Sequence, residues 1–329
     1  MDALPNSMVV LLGQDDLTVC SDPRYYLVGS FLYDRGIPHY MTGAIQNLDG
    51  QPQPRDLREI TGAPYIITLD SAADAACTQQ GIAHDAFPDL QAILYPQTHD
   101  LDTWQLFKEK LDALSLRLPL DGRRYLAIRD HLVNRGYEPE WKWAQTVTAP
   151  ENAEDLANNA IMVVCNSGFR AQAAAVMESK VQELLAAGRS ATLAYPSSGK
   201  GRAIDTLWAN RQQYFETYRK LVARDAIAED ILDWIAKSGM PYVSGKILRY
   251  HFAKNLGVAC AKPDRHLARL AGVPETDAPE SNYAAVMTMC RALEKDTGDK
   301  IGVIDVILWR ACNLGLLQSR LMRGRHHTS

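Results

Sequence analysis

The stretch SGMPYVSGKILRYHFAKNLGVACAKPDRHLARL, from Ser238 to Leu270, decides how the rest of the chain is interpreted. It predicts a helix end, a tight turn, a second helix from about Gly245 to Leu256, and a short connection. Asp264 follows the connection and is placed to open a third helix. The stretch therefore predicts two helices joined by a hairpin, with a lone carboxylate close behind them.

The same stretch is basic although the chain as a whole is acidic. The protein has 329 residues and a formal net charge of −4, which argues against a protein that coats nucleic acid indiscriminately. Between Lys237 and Pro274, Asp264 is the only acidic residue. The basic residues there are Lys237, Lys246, Arg249, Lys254, Lys262, Arg265 and Arg269. We therefore expect a local positive patch that positions phosphates.

Two segments of the stretch resemble the helix-hairpin-helix DNA glycosylase superfamily, of the endonuclease III class. Met240–Lys246 (MPYVSGK) resembles the family's hairpin, whose usual form is L-P-G-V-G-R-K. Lys262–Leu267 (KPDRHL) resembles its V-D-x-H-[IL] segment, in which the aspartate is catalytic. Asp264 follows Lys246 by 18 residues, which is the family's spacing. The resemblance covers about half of the chain, roughly residues 152–316, and its two motifs are in register.

The resemblance implies a DNA glycosylase that hydrolyses the bond between a sugar and a base flipped out of the duplex, with Asp264 as the catalytic carboxylate. A carboxylate beside the anomeric carbon stabilises the positive charge that develops on the sugar when this bond breaks. The local pattern alone makes Asp264 a helix N-cap, entered through Pro263. The two roles are compatible.

The resemblance also indicates which residues hold DNA. The predicted DNA contacts are Tyr242, Ser244, Gly245, Lys246, Arg249, Lys254, Lys262 and Arg265. Tyr242 and Ser244 replace family glycines, so we expect contact through their hydroxyls or a weaker grip. Lys246 stands where lyase-capable members carry their Schiff-base lysine. A lysine that faces a phosphate is the alternative, and lyase activity stays open.

An upstream segment, Ile161–Phe169, resembles the end of the family's first core helix. By that resemblance Asn166 or Ser167 is the wedge that enters the gap left by the flipped base, and Phe169 lines the base pocket. The alternative is an ordinary capped helix end. Lys200 follows two serines and a glycine, but the phosphate-loop pattern GxxxxGK[ST] is missing, so we expect no nucleotide there.

Outside these segments the sequence predicts a mainly α protein, with a helix-hairpin-helix glycosylase-type core over residues 151–329. Residues 1–150 predict an α/β N-terminal region, for which we expect a role in substrate recognition. Its predicted strands are Met8–Leu12, Tyr65–Leu69 and Ala92–Tyr95. Residues 47–55 (NLDGQPQPR) predict a loop because they contain a glycine and two prolines. Residues 203–223 predict one continuous helix, and Ala149-Pro150 marks the domain boundary.

Several classes of protein are excluded by what the sequence lacks. The six cysteines lie far apart without a CxxC pair, so we expect no metal, no iron–sulfur cluster and no other cofactor. We find no stretch as long as a membrane span and no signal peptide. The expectation is a monomeric cytoplasmic protein whose partner is duplex DNA.

The resemblance is nearest to a divergent bacterial and phage branch. That branch includes the α-glutamyl/putrescinyl-thymine pyrophosphorylase group and glycosylases that excise modified bases in antiviral defence. It implies a damaged base or one with a bulky substituent. Two alternatives stay open: a transferase that modifies thymine on DNA, and a DNA-binding module without catalysis. Asp305, inside the apolar run IGVIDVILW, is expected to be a paired structural carboxylate.

Overall fold

The computed structural model describes residues 8–49, 51–60, 65–90, 101–115, 118–169, 171–196, 198–273 and 279–317. They form two compact units. The first unit contains the residues before Glu138 and those from Ala311 onward, and the second contains Glu138–Arg310. The sequence analysis put the division at residue 150. The break at Ala149-Pro150 instead lies within the second unit, because the helices before and after it both belong to that unit.

The first unit is built on a five-stranded sheet with the order β3-β2-β1-β4-β5. The strands are β1 Met8–Asp15, β2 His39–Leu48, β3 Gln51–Pro54, β4 Tyr65–Thr68 and β5 Asp85–Ala86. Strands β1, β2, β4 and β5 pair in parallel, and β3 pairs antiparallel with β2. Pro52 and Pro54 therefore lie in a strand, where a loop was predicted. An edge strand tolerates proline because one of its sides needs no ladder hydrogen bonds.

Helices cover both faces of this sheet, α2 Pro23–Tyr33 and α4 Leu101–Ser115 on one face and α3 Ser71–Gln79 on the other. The unit also contains α1 Asp16–Val19 and α5 Gly122–Leu132. Alternate residues of β1 belong to two hydrophobic clusters. Met8 packs with α2 and α4 in one cluster, and Val9 packs with α3 in the other. A strand covered on both faces is apolar throughout, which explains why the first five residues of β1 are all buried. The predicted strand Ala92–Tyr95 lies outside the described residues.

The second unit is helical. Its helices are α6 Glu138–Thr146, α7 Ala153–Asn166, α8 Ala171–Ala186, α9 Gly199–Ala209, α10 Arg211–Val222, α11 Ala228–Lys237, α12 Leu248–Asn255, α13 Arg265–Leu270, α14 Pro279–Thr297 and α15 Ile301–Asn313, whose last residues belong to the first unit. Helix α7 is central, since α8, α9, α10 and α12 pack on it. A mainly helical chain with a small N-terminal α/β region is thus confirmed.

The single helix predicted over residues 203–223 is two helices. Asn210 is both the C-cap of α9 and the N-cap of α10, with φ −97° and ψ 9°. The Arg211 guanidinium donates to the Trp208 carbonyl and lies over the Trp208 ring. The apolar spacing continues through the break, so hydrophobic periodicity alone did not reveal it.

Candidate active site and nucleic-acid interface

The hairpin between α11 and α12 contains a left-handed backbone position that favours glycine, but a tyrosine occupies it. Tyr242 has φ +66°, in the left-handed region that costs a residue with a Cβ about 1–2 kcal/mol. The Ser244 hydroxyl donates to the Met240 carbonyl at 2.7 Å, and the Gly245 N–H donates to the Tyr242 carbonyl at 2.9 Å. Ser244 therefore uses its hydroxyl to close the turn. Tyr242 stays exposed at the tip.

The predicted phosphate contacts do not all share one exposed surface. Gly245, Lys246 and Arg265 are exposed. Arg249 is less accessible because its guanidinium stacks over the Tyr250 ring and pairs with Glu280 at 2.6 Å.

Lys254 requires a correction. Its side chain is only 9% exposed and its ammonium pairs with Asp305. A surface contact to phosphate needs an exposed amine, so we reassign Lys254 from the DNA-contact surface to the interior.

Asp264 is the N-cap of α13. Its Oδ1 accepts the backbone N–H groups of His266 at 2.9 Å and Leu267 at 3.2 Å. Its Oδ2 lies 3.2 Å from the Lys262 ammonium, and the side chain is 15% exposed. The capping interpretation of the sequence is thereby confirmed. One carboxylate oxygen is fixed by the backbone, and the other faces a cation at the surface.

A cavity of about 540 Å³ lies in the second unit. It is bordered by α6, the end of α7 with the turn that follows it, α12, Lys262 and α15. Its aromatic, polar and charged lining residues include Trp143, Asn166, Ser167, Phe169, His251, Lys254, Lys262, Asp305 and Trp309. The predicted wedge and pocket residues therefore meet Lys262 at one cavity. Asp264 does not line it, and contacts it through Lys262.

Charged groups form the polar side of this cavity. Asp305 is 1% exposed, and it pairs with the Lys254 ammonium and accepts the Lys262 N–H at 2.6 Å. Asp305 is thus the paired carboxylate that the sequence predicted. Burial, with the Lys254 and Lys262 charges, holds the pKa of His251 well below its usual range, so this imidazole is neutral at neutral pH.

Lys200 holds the turn that carries the predicted wedge. Its ammonium donates to the Ser167 and Cys165 carbonyls and lies 4.3 Å from the centroid of the Phe169 ring. Burial lowers the pKa of Lys200. Gly168 completes the turn with φ +74°. This role of Lys200 is not predicted from the sequence, because its partners follow a different helix and no local pattern links the two segments.

Lys246 is exposed and does not line the cavity. Its charge acts on Glu280, whose pKa is lowered by a backbone hydrogen bond and by the Arg249 and Lys246 charges. The possible Schiff-base role of Lys246 stays a prediction.

Comparison with protein-family models, with curated proteins and with solved structures returned no match to this chain. None of the six cysteines, all of which lie in the described part of the chain, forms a disulfide bond. Within the described residues, no group of three or more His, Cys, Asp or Glu side chains is arranged to hold a metal ion. Among the described helices, none is both long and apolar enough to cross a membrane.

Proposed function

We propose that the second unit is a helix-hairpin-helix DNA glycosylase core and that the chain hydrolyses the N-glycosidic bond of a flipped base, with Asp264 as the catalytic carboxylate. One observation carries the proposal. The cavity lined by Asn166, Ser167 and Phe169 is also lined by Lys262, whose ammonium lies 3.2 Å from Asp264 Oδ2. Two segments far apart in sequence, assigned separately to the base and to catalysis, therefore meet at one cavity.

The lining of the cavity suits a planar base. Its volume lies within the range of about 300–1,000 Å³ that is usual for small-molecule pockets. Trp143, Phe169 and Trp309 are among its lining residues, and aromatic side chains are the groups on which flipped bases stack. The Lys262 ammonium lies 5.5 Å from the centroid of the Trp309 ring. A damaged or modified base is the substrate class that we propose.

The bonding of Asp264 fits the chemistry of glycosidic hydrolysis. Two amides orient the carboxylate through Oδ1 and leave Oδ2 facing Lys262. A DNA phosphate would compete for the Lys262 ammonium. When the ammonium moves from Asp264 to the phosphate, Oδ2 of Asp264 can face the sugar. The carboxylate then stabilises the oxocarbenium character at C1′ and takes a proton from the attacking water. The C1′–N bond breaks with its electron pair going to the base nitrogen, the water oxygen bonds to C1′, and the departing base takes up a proton from solvent that balances the one passed to Asp264.

The DNA would be held locally. Lys246 and Arg265 are exposed charges, and Gly245 of the hairpin is exposed as well. We expect affinity for duplex DNA to fall with rising salt, because it depends on phosphate contacts. The dependence should be shallow, since a chain with a net charge of −4 offers only a few such contacts. We further propose that the protein acts in the cytoplasm as a monomer.

The test uses duplex oligonucleotides with uracil or an alkylated base, and phage DNA with hypermodified bases. After incubation with the full chain, alkali-labile abasic sites are measured on a gel. We expect sites on at least one substrate. Asp264→Asn should lower the single-turnover rate by about 10²-fold or more while duplex affinity stays within two-fold. Arg265→Gln, at the next residue, is the control that should weaken affinity instead.

Three results would contradict the proposal. Absence of abasic sites on every substrate would contradict glycosylase activity. A change in base mass with the glycosidic bond intact would favour the transferase. Full excision by Asp264→Asn would show that this carboxylate is not the catalytic group.

A further inference from the structure

A buried carboxylate connects the cavity to the segment that carries Asp264. The Asp305 side chain is 1% exposed. Its Oδ2 pairs with the Lys254 ammonium, and its Oδ1 accepts the Lys262 N–H at 2.6 Å. A carboxylate that has lost its hydration needs such partners, so both bonds are costly to break. Asp305 thus ties α12 and the residue two positions before Asp264 to one point on α15.

The tied segment has no helical or strand backbone of its own. Residues 260–264 lie between α12 and α13 without regular secondary structure. The Asp264 N–H donates to the Lys262 carbonyl at 2.8 Å, and the Lys262 ammonium approaches Asp264 Oδ2. Lys262 therefore contacts Asp264 through its backbone and through its side chain. Whatever fixes the Lys262 amide also limits where the Asp264 carboxylate can point.

We propose that Asp305 is the positioning residue for Asp264. By holding the Lys262 amide it keeps the carboxylate of Asp264 next to the ammonium of Lys262, which lines the cavity. This inference rests on the proposed function. Asp305 itself takes no part in bond making, because both of its oxygens are already occupied by Lys254 and Lys262.

The first experiment needs no activity. Amide hydrogen exchange is followed at Lys262, His266 and Leu267 in the wild type, in Asp305→Ala, and in Ile304→Ala. Ile304 is also fully buried in α15 but does not line the cavity, so it controls for lost packing. We expect exchange at all three amides to be at least ten-fold faster in Asp305→Ala than in Ile304→Ala. Unchanged protection of His266 and Leu267 would overturn the inference.

A milder variant covers the case in which Asp305→Ala does not fold. Asp305→Asn keeps an oxygen that can accept the Lys262 N–H and loses only the charge opposite Lys254. We expect it to retain protection at Lys262, and loss of that protection with His266 unaffected would also overturn the inference.

The second experiment is a double-mutant cycle on single-turnover excision. We expect Asp305→Ala to lower the rate at least 30-fold with duplex affinity within two-fold. In the Asp264→Asn background the same change should cost less than two-fold, because a residue that acts through Asp264 has nothing left to position. Additive losses would indicate a general structural role and overturn the inference. If the wild type excises nothing, the proposed function fails, and the exchange experiment still decides the positioning role.

Discussion

Each of the two units buries a cation beside carboxylates, but the surroundings differ. In the first unit Arg24 is 1% exposed and bonds Asp22 at 2.8 Å, and Asp70 and Asp89 at 3.3 Å. In the second unit the described contacts give Lys254 one carboxylate partner, Asp305, and both side chains border a cavity. The Arg24 side chain is 2% exposed, although its partner Asp89 is 49% exposed, whereas the Lys254–Asp305 pair faces space that a ligand can fill.

Carboxylates of the first group, those of Asp22 and Asp70, already accept hydrogen bonds from backbone N–H groups. Asp22 caps α2, and Asp70 caps α3 and also accepts the Gly13 N–H at the end of β1. The carboxyl ends of parallel strands are where ligands often bind, yet here an internal carboxylate takes the amide. A buried charge is therefore a functional candidate when part of it borders a cavity, and it otherwise serves to hold loops together.

Arg24→Met should have the largest effect on stability. It leaves Asp22 and Asp70 without their cation in the interior, and breaking a buried pair in this way costs about 3–5 kcal/mol. The free energy of unfolding in urea measures it. Arg58→Met, which breaks the exposed pair with Asp56, is the control and should leave the urea midpoint unchanged. A small loss for Arg24→Met would mean that the group contributes little to holding the loops.

Lys254→Met should cost less, near the lower end of the same range of about 3–5 kcal/mol, because it leaves one buried carboxylate without its cation, whereas Arg24→Met leaves two. The same urea titration applies. Adding Asp305→Leu to Lys254→Met should recover part of the loss, since no unpaired charge then remains. A loss as large as that of Arg24→Met would erase the difference between the two groups.

His251 should make the second unit sensitive to acid. Its pKa in the folded protein lies well below 6.5, the value expected in the unfolded chain. As pH falls below about 6.5, His251 binds a proton in the unfolded chain but stays neutral in the folded protein. The free energy of unfolding therefore falls by at most about 1.4 kcal/mol per pH unit. His251→Gln should therefore lose less stability between pH 7 and pH 5 than the wild type.

His84 provides the opposite control. Burial opposes the shift, but hydrogen bonds to the Ile82 carbonyl and Asp74 raise its pKa above the usual value. Its stabilising contribution is present at acid pH and is lost as pH rises through the folded pKa. His84→Gln should therefore lose more stability on acidification than the wild type. If the two variants behaved alike, the contrast between these imidazoles would be wrong.

Lys200→Met should have the smallest effect. This ammonium has carbonyl partners at a helix end and no carboxylate partner among the described contacts. Such a cation contributes about 0.3–1 kcal/mol, and its own burial offsets part of that. Thermal unfolding measures the change, with Arg202→Met on the exposed side of α9 as the matched control. A larger loss would place Lys200 with the carboxylate-paired cations.

Local rules predicted the parts of the site that depend on neighbouring residues. The cap at Asp264 followed from an aspartate before a helix, since capping engages the next few amides. The strand at Met8–Leu12 followed from its apolar run. The same rules failed at Asn210 and at Pro52, where helix packing and an edge position decided the backbone.

Local sequence was enough to predict that the second half of the chain is helical, that Met8–Leu12 is a strand, and that Asp264 caps a helix behind a hairpin. Those features depend on side chains a few positions apart. The inward orientation of Lys254 is visible only in the folded chain, because its partner Asp305 is 51 residues away along the chain. The cost of burying a charge depends on everything packed around it, and no local pattern contains that information.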